Sequence, residues 1–346
     1  MTAMPARKRL RTPSAPTTVK DVARLAGVSA ITVSRALNTP EQLSADTLER
    51  VREAVSRTGY VPNLLAGGLR SAKSKLVAAV VPTVASPVFM ETIKSLTDAL
   101  DEHGYQLLIG QSGYDNSRED ALLDAIIGRR PVGIVLTGMM HSAEGRRRLI
   151  GSGIPVVETW DLAPTPIDMA VGFSHERIGE EVCEYLHARG RRKPALVSGD
   201  DERARRRVAA FVRTARKLGM ADANGDVPTR WIPAPTTLGS AREAFADLLR
   251  AQPSLDAVFC SSDLVALGVL TEADARGLAV PVQVAVVGFG DLEFSAGVVP
   301  SLTTVSVDGT RIGRIAAARL IDRAEGRETG EPVVDVGFSI VERASS

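Results

Sequence analysis

Apolar positions change period along this chain. Before about residue 75 they recur every three or four residues, the period of a helix. Beyond it they bunch into short continuous runs that alternate with helical stretches. In the first region Val22, Leu25 and Ala26 share a face, and Thr18 precedes them with Asp21 three residues on, the spacing of a capping box. Gly27 allows the left-handed backbone of a tight turn. Ser29 then stands where a helix cap belongs, and Val33 with Leu37 forms the next buried stripe. This leaves Ala30, Ile31, Thr32, Ser34 and Arg35 exposed, a small or basic surface compatible with insertion into a DNA major groove. After a loop at 39–43, Ser44 caps a third helix carrying Leu48, Val51 and Val55, which Gly59 ends.

Past residue 75 the runs KLVAAVVP, YQLLIGQS, GIVLTG, IPVVETW and MAVGFS read as buried strands. Stretches such as PVFMETIKSLTDALDEHG and REDALLDAIIGRR separate them as helices. The alternation resumes after His175 with IGEEVCEYLHARG, KPALVSG, VAAFVRTARKLG, DAVFCSS, LVALGVLTEADARG and VAVVGFG. The expected fold class is therefore α/β: a small all-α helix-turn-helix head, then two lobes of doubly wound parallel sheet.

Charge sharpens the division. The 346 residues carry a net charge of only +1. Residues 1–75, however, hold 13 Lys/Arg against 5 Asp/Glu, and the remainder holds 29 against 36. A basic head on an acidic body puts phosphate affinity at one end. The opening MTAMPARKRLRTPSAPTT lacks the apolar run of a signal peptide and reads as a basic, disordered arm. No apolar run is long enough to span a membrane, so a cytoplasmic protein is expected. Cys183 and Cys260 read as small buried hydrophobes. Enzyme motifs are missing: after Gly288 and Gly290, Glu293 replaces the third glycine of a dinucleotide fingerprint, and there is no Walker loop, nucleophile elbow or HExxH. His103, His141, His175 and His187 show no metal-ligand spacing. Neither metal, cofactor nor catalysis is expected.

The ordered set DVARLAGVS, TVSRALN, GYVPN, SSDLVALG, VAVVGFGD and PSLTTV resembles the lac, gal and purine repressor family over essentially the whole chain. The resemblance implies an arm at 1–17, a helix-turn-helix domain at 18–62, a hinge helix and linker at 63–75, and an effector-binding, dimerising body at 76–346. It implies that Ala30, Ile31 and Arg35 face base edges, with Arg35 the strong donor. Ser29, Thr32, Ser34, Asn38, Ser44, Thr47, Tyr60 and Asn63 would hold phosphates, which set register without reading sequence. In the hinge, Leu69 takes the place of the family's minor-groove wedge, beside Ala66. Gly67 and Gly68 each cost roughly 1 kcal/mol of helix propensity relative to Ala, which predicts an easily melted hinge.

In the body the resemblance points to Arg207 for ligand hydroxyls or a carboxylate, with Ala210 where glycine is usual. Ser262 and Asp263 match a polar contact and its neighbouring acid, Asp263 being equally suited to cap the following helix. Ser86 and Phe89 flank the start of the first body helix, whose N-terminal amides suit an anion; Glu158, Trp160 and His175 lie on segments that approach the cleft in relatives, and Phe173 and Phe289 complete the expected effector residues. Arg203, Arg205 and Arg206 read as surface charges. In VVGFGDLEF, Gly290 occupies the place of the acid that clamps sugar hydroxyls in relatives, and Asp291 follows it. Loss of that acid removes a repulsion against an anionic ligand. NTPEQLS, GYQLLIGQSGY, GIPVVETWD and DMAVGFSH most resemble gluconate-utilisation repressors, which implies a sugar-acid effector: gluconate, or a keto- or phosphogluconate. A neutral sugar or a corepressor remain alternatives, as does a sugar-binding protein without DNA affinity. The partners expected are a pseudo-palindromic operator, the effector and a second copy of the chain; a tetramer is not expected, for want of a terminal heptad repeat.

Overall fold

The computed structural model describes residues 17–61, 75–84, 86–113, 116–138, 142–162 and 165–346. The chain divides into two compact units, Met1–Lys73 and Ser74–Ser346. Expectations for residues 1–16 and for the hinge residues Asn63, Ala66, Gly67, Gly68 and Leu69, and for His141, lie outside the described residues.

The first unit holds α1 (Val19–Ala26), α2 (Ala30–Asn38) and α3 (Ala45–Thr58). Asp21 makes its half of the capping box, its Oδ2 accepting from the Thr18 amide at 3.0 Å. Gly27 is left-handed at φ 66°, turning the chain within three residues into α2. One small core joins the three helices through Val22, Ala23, Ala26, Val33, Ala36, Val51 and Ala54. Two expected core residues are displaced from it. Leu25 is 43% exposed and Leu37 37% exposed, while Ala23 and Ala36 are buried in their stead. Leu25 and Leu37 lie on the outer side of their helices, and alanine takes the inner position. Leu48 and Val55 flank the core and are partly buried.

The second unit contains two six-stranded sheets among the described residues. The first runs β11-β5-β4-β3-β1-β2, from β1 (Leu76–Val81), β2 (Gln106–Gln111), β3 (Gly133–Thr137), β4 (Val156–Thr159), β5 (Met169–Gly172) and β11 (Val333–Asp335). The second runs β12-β10-β9-β8-β6-β7, from β6 (Pro194–Gly199), β7 (Thr229–Ile232), β8 (Ala257–Cys260), β9 (Ala285–Phe289), β10 (Thr303–Ser306) and β12 (Ser339–Val341). All pairs are parallel except β10 with β12, an antiparallel edge. Strands buried on both faces are apolar at successive positions, as Val77 to Val81 show. β2 departs from that expectation: it is a sheet edge, and Leu108 and Ile109 are partly exposed.

Helices cover both sheets. α4 (Met90–Asp101) packs on α11 (Gly309–Glu325), and α5 (Asn116–Ile127) with α6 (Ala143–Ser152) covers the other face of the first sheet. On the second sheet α7 (His175–Ala188) packs on α8 (Glu202–Lys217), and α9 (Leu238–Ala251) on α10 (Asp263–Ala275). β7 and α9 were not distinct in the apolar pattern, because TRWI is short and half-exposed. The chain passes between lobes after β5, after β10 and after β11. The tract from about Val305 thus returns to the first lobe and ends in the second.

Candidate functional site

Each strand of a parallel sheet ends at the same rim, and loops after those ends are where such folds hold ligands. Here the rims of both lobes face one cavity of about 170 Å³. Ser86 and Phe89 reach it after β1, Trp160 after β4, His175 after β5, Ser262 after β8 and Phe289 at the end of β9. Arg207 enters from α8. Seven of the ten effector positions expected from sequence therefore line one space: Ser86, Phe89, Trp160, His175, Arg207, Ser262 and Phe289.

A hydrogen-bonded row forms the cavity's inner wall. Arg207 Nη1 lies 2.9 Å from His175 Nδ1, and Arg207 Nη2 donates to the Ser261 carbonyl at 3.2 Å. A guanidinium only donates, so Nδ1 accepts and His175 carries its proton on Nε2, which donates to the Trp160 carbonyl at 3.0 Å. Trp160 turns that carbonyl inward by adopting φ 65°, a costly backbone for a bulky residue. Its indole Nε1 donates to Thr92 Oγ1 at 3.1 Å on α4. Burial, then Arg207, Arg203 and Arg206, hold His175 well below the usual histidine range, so it is neutral. Burial also brings Arg207 down to about 10. Arg207 stacks over Phe289 at 4.3 Å. Among the described residues no carboxylate forms an ion pair with Arg207.

α8 can approach α7 this closely because of Gly179. A Cβ there would stand 2.1 Å from the Arg207 carbonyl oxygen and 3.0 Å from the Ala210 methyl. Ala210, where the resemblance implies glycine, packs against this glycine of the facing helix.

Three expected site residues lie elsewhere. Glu158 is buried on the β4 face opposite Val157, where Oε2 accepts from the Ile167 amide at 2.8 Å. Phe173 is fully buried behind the cavity, edge-on to both Trp160 and His175. Asp263 accepts from the Leu292 amide, Ser295 Oγ and Thr304 Oγ1 at 2.8, 2.7 and 2.5 Å, tying α10 to the loop after β9. The cap of α10 is Ser262, which accepts from the Val265 amide at 3.3 Å.

The arginine run is also redistributed. Arg205 is exposed and pairs with Asp200 at 2.6 Å. Arg206, expected on the surface, pairs with buried Asp161 of the first lobe and with Glu176 at 3.6 Å. Arg203, likewise expected on the surface, lines the cavity with Asp200 and Asp201. Its spacing of four from Arg207 was the available signal, since residues four apart share a helix face. Gly290 has φ 126°, and a Cβ there would press on Val88 at 3.2 Å. A side-chain acid is thus sterically unwelcome at 290, and Asp291 is engaged by Arg343 at 2.6 Å.

In the head, Ser29 Oγ accepts from the Thr32 amide at 3.1 Å and meets the Thr32 hydroxyl at 2.9 Å. Asn38 Nδ2 donates to the Ser34 carbonyl at 2.9 Å. Ser44 caps α3, accepting from the Thr47 amide at 3.4 Å. Ala30 and Tyr60 are half-buried against the core and Thr32 is half-buried, less open than expected. Ile31 is 67% exposed, and Arg35 is exposed without a side-chain partner among the described residues.

Residues 18–63 match the model of bacterial regulatory proteins of the lacI family. Residues 183–346 match that of the periplasmic binding protein-like domain. The chain is 38% identical over 340 residues to the HTH-type transcriptional regulator GntR of Pseudomonas aeruginosa, covering 98% of each. It belongs to the lacI family. Among solved structures, a LacI-family transcriptional regulator from Silicibacter pomeroyi superposes with a TM-score of 0.88 at 31% identity, over 95% of this chain and 99% of that one. The transcription regulator GntR from Chromobacterium violaceum gives 0.73 at 33% identity, over 78% and 99%. As a lacI-family member the chain is a DNA-binding transcriptional regulator and not an enzyme. No helix among the described residues is long and apolar enough to cross a membrane, and no cluster there could hold a metal ion.

Proposed function

We propose that this regulator is a cytoplasmic homodimeric repressor whose operator affinity is set by a sugar acid bound between its lobes. The observation that carries the effector reading is Arg207, a buried guanidinium at the cavity wall with no ion-pairing carboxylate among the described residues. Asp201 and Asp161 lie near enough to favour its charge, yet neither bonds to it, and a ligand carboxylate would add charge-assisted hydrogen bonds. The backbone at Gly290 supports the same reading, because it disfavours a side chain where sugar-binding relatives carry the clamping acid. The resemblance to gluconate-utilisation repressors narrows the acid to gluconate or a keto or phosphorylated relative.

Two heads would read two half-sites of a pseudo-palindrome, with Ser29, Thr32, Ser34, Asn38, Ser44, Thr47, Tyr60 and Asn63 on phosphates. Ala30, Ile31 and Arg35 would meet base edges, and Ala66 with Leu69 would enter the minor groove. Ile31 supports this, being the more open to solvent of the two large apolar side chains exposed on α2. Binding of purified protein to its own upstream DNA, with and without gluconate, 6-phosphogluconate and 2-ketogluconate, tests the proposal. Release by one acid is expected; specific binding that no acid alters would refute the effector reading. Arg35→Ala should weaken operator binding by roughly 1–3 kcal/mol and random DNA far less. Equal losses on both would remove Arg35 from base recognition.

A further inference from the structure

Trp160 lines the cavity and is also bonded to the places where the chain changes lobe. Its carbonyl accepts from His175 Nε2 at 3.0 Å, and His175 opens α7 just past β5, at the first of those places. Its indole Nε1 donates to Thr92 Oγ1 at 3.1 Å. The same Thr92 hydroxyl donates to the Gly309 carbonyl at 2.9 Å. Gly309 is the first residue of α11 and stands just past β10, at the second passage between lobes. A threonine hydroxyl has one proton to give, so the row runs from indole to Thr92 and from Thr92 to Gly309. One cavity side chain is thereby tied to two of the three crossovers.

Little slack lies along this row. Trp160 and Thr92 are both buried, and Phe89 and Phe173 hold the indole edge-on at 5.1 and 5.7 Å. α11 lies so close to α4 that a Cβ at Gly309 would stand 3.0 Å from Thr92 Oγ1, and one at Gly313 2.1 Å from Ser95 Oγ. A ligand that displaces the indole therefore either carries α4 and the start of α11 with it or breaks a buried hydrogen bond. Breaking the bond leaves a buried N–H without a partner, at the full desolvation cost of that donor.

We infer that Thr92 is a positioning residue of the regulatory response. Its hydroxyl makes the crossover into α11 follow Trp160, and so links occupancy of the cavity to the arrangement of the lobes. The inference rests on the effector reading of the cavity and deepens it, naming a residue that stands behind the cavity lining rather than in it.

Operator binding and calorimetric affinity for gluconate, 6-phosphogluconate and 2-ketogluconate test it, on the full native chain, Thr92→Val and Thr92→Ser. The probe is an acid that weakens native operator binding by roughly fivefold or more, the usual size of coupling between sites. Thr92→Val should still bind that acid and the acid-free operator, yet lose most of the native fold-change at saturating acid. Thr92→Ser keeps the hydroxyl and should respond as the native chain does. A native response at saturation in Thr92→Val would overturn the inference, since a side chain of the same shape would then carry the signal. An equal loss in Thr92→Ser would overturn it too, assigning the effect to packing.

If none of the three acids alters native operator binding, the sugar-acid reading falls and DNA alone decides this inference. Operator binding acts back on the cavity by linkage. With 5-fluorotryptophan in place of tryptophan, upstream DNA should move the Trp160 fluorine resonance in the native chain and in Thr92→Ser, but not in Thr92→Val. Trp231, exposed on β7, is the reference signal. A Trp160 resonance that DNA moves equally in Thr92→Val, or leaves in place in the native chain, overturns the inference. Should Thr92→Val fail to fold by circular dichroism, Thr92→Ala removes the same hydroxyl, suits a helix better and is read by the same outcomes.

Discussion

At the scale of single residues, the site depends on one histidine kept neutral. His175 accepts from Arg207 and donates to Trp160, so it bridges the two lobes only in its Nε2-protonated form. Its folded-state pKa lies well below 6.5, through burial first and the neighbouring arginines second. The unfolded chain therefore binds a proton that the folded chain refuses in the range below 6.5, and stability falls as pH drops through that range. Each pH unit costs about 1.4 kcal/mol until the folded-state value is reached. Thermal unfolding measured from pH 7 to pH 5 should show this loss, and His175→Gln should reduce its slope by one proton. An unchanged slope would mean that His175 is protonated in the fold. The same scale shows what residue type alone conceals. Arg203, Arg205, Arg206 and Arg207 are chemically identical in the sequence. One faces water, one pairs with Asp161, and two line the cavity.

At the scale of elements, glycine positions separate packing from propensity. Gly179 and Gly151 both lie inside helices, but only Gly179 has a neighbour in the way of a side chain. Gly179→Ala would drive α7 off α8 and displace the backbone carrying Arg207, costing about 1–3 kcal/mol by overpacking. Gly151→Ala meets nothing within 4 Å and should stabilise α6 by up to about 1 kcal/mol. Denaturant unfolding of the two variants checks both signs. If both variants shift stability in the same direction, the contact between α7 and α8 is looser than described. Helix ends were legible for the same reason that this contrast exists. Gly27 and Gly59 sit where the backbone turns left-handed, and Ser29 and Ser44 cap the next turns, all through local geometry. Helix faces were less legible. Leu25 and Leu37 fit the apolar stripe, but the packed core takes Ala23 and Ala36 instead.

At the scale of the whole molecule, a ligand cavity lined by both lobes makes ligand affinity a function of lobe arrangement. If a sugar acid lowers operator affinity by some factor, operator DNA must lower sugar-acid affinity by the same factor. Titrating the acid into the protein alone and into its operator complex measures both sides. Unequal factors would show that the acid acts at more than one site or state. The sequence by itself determined the head's three helices and the α/β alternation, and its resemblance to a known family implied the seven side chains found at the cavity. Those features follow from period, local turns and the order of motifs, which are properties of neighbouring residues. Only the tertiary structure decided which face each side chain took. Strand alternation turned Glu158 away from the rim to the Ile167 amide, and loop closure enlisted Asp263 as the acceptor for three groups after β9. Helix phase against the opposite lobe brought Arg203 onto Phe89. Such choices depend on distances between residues far apart in the chain, which no local pattern of polarity encodes.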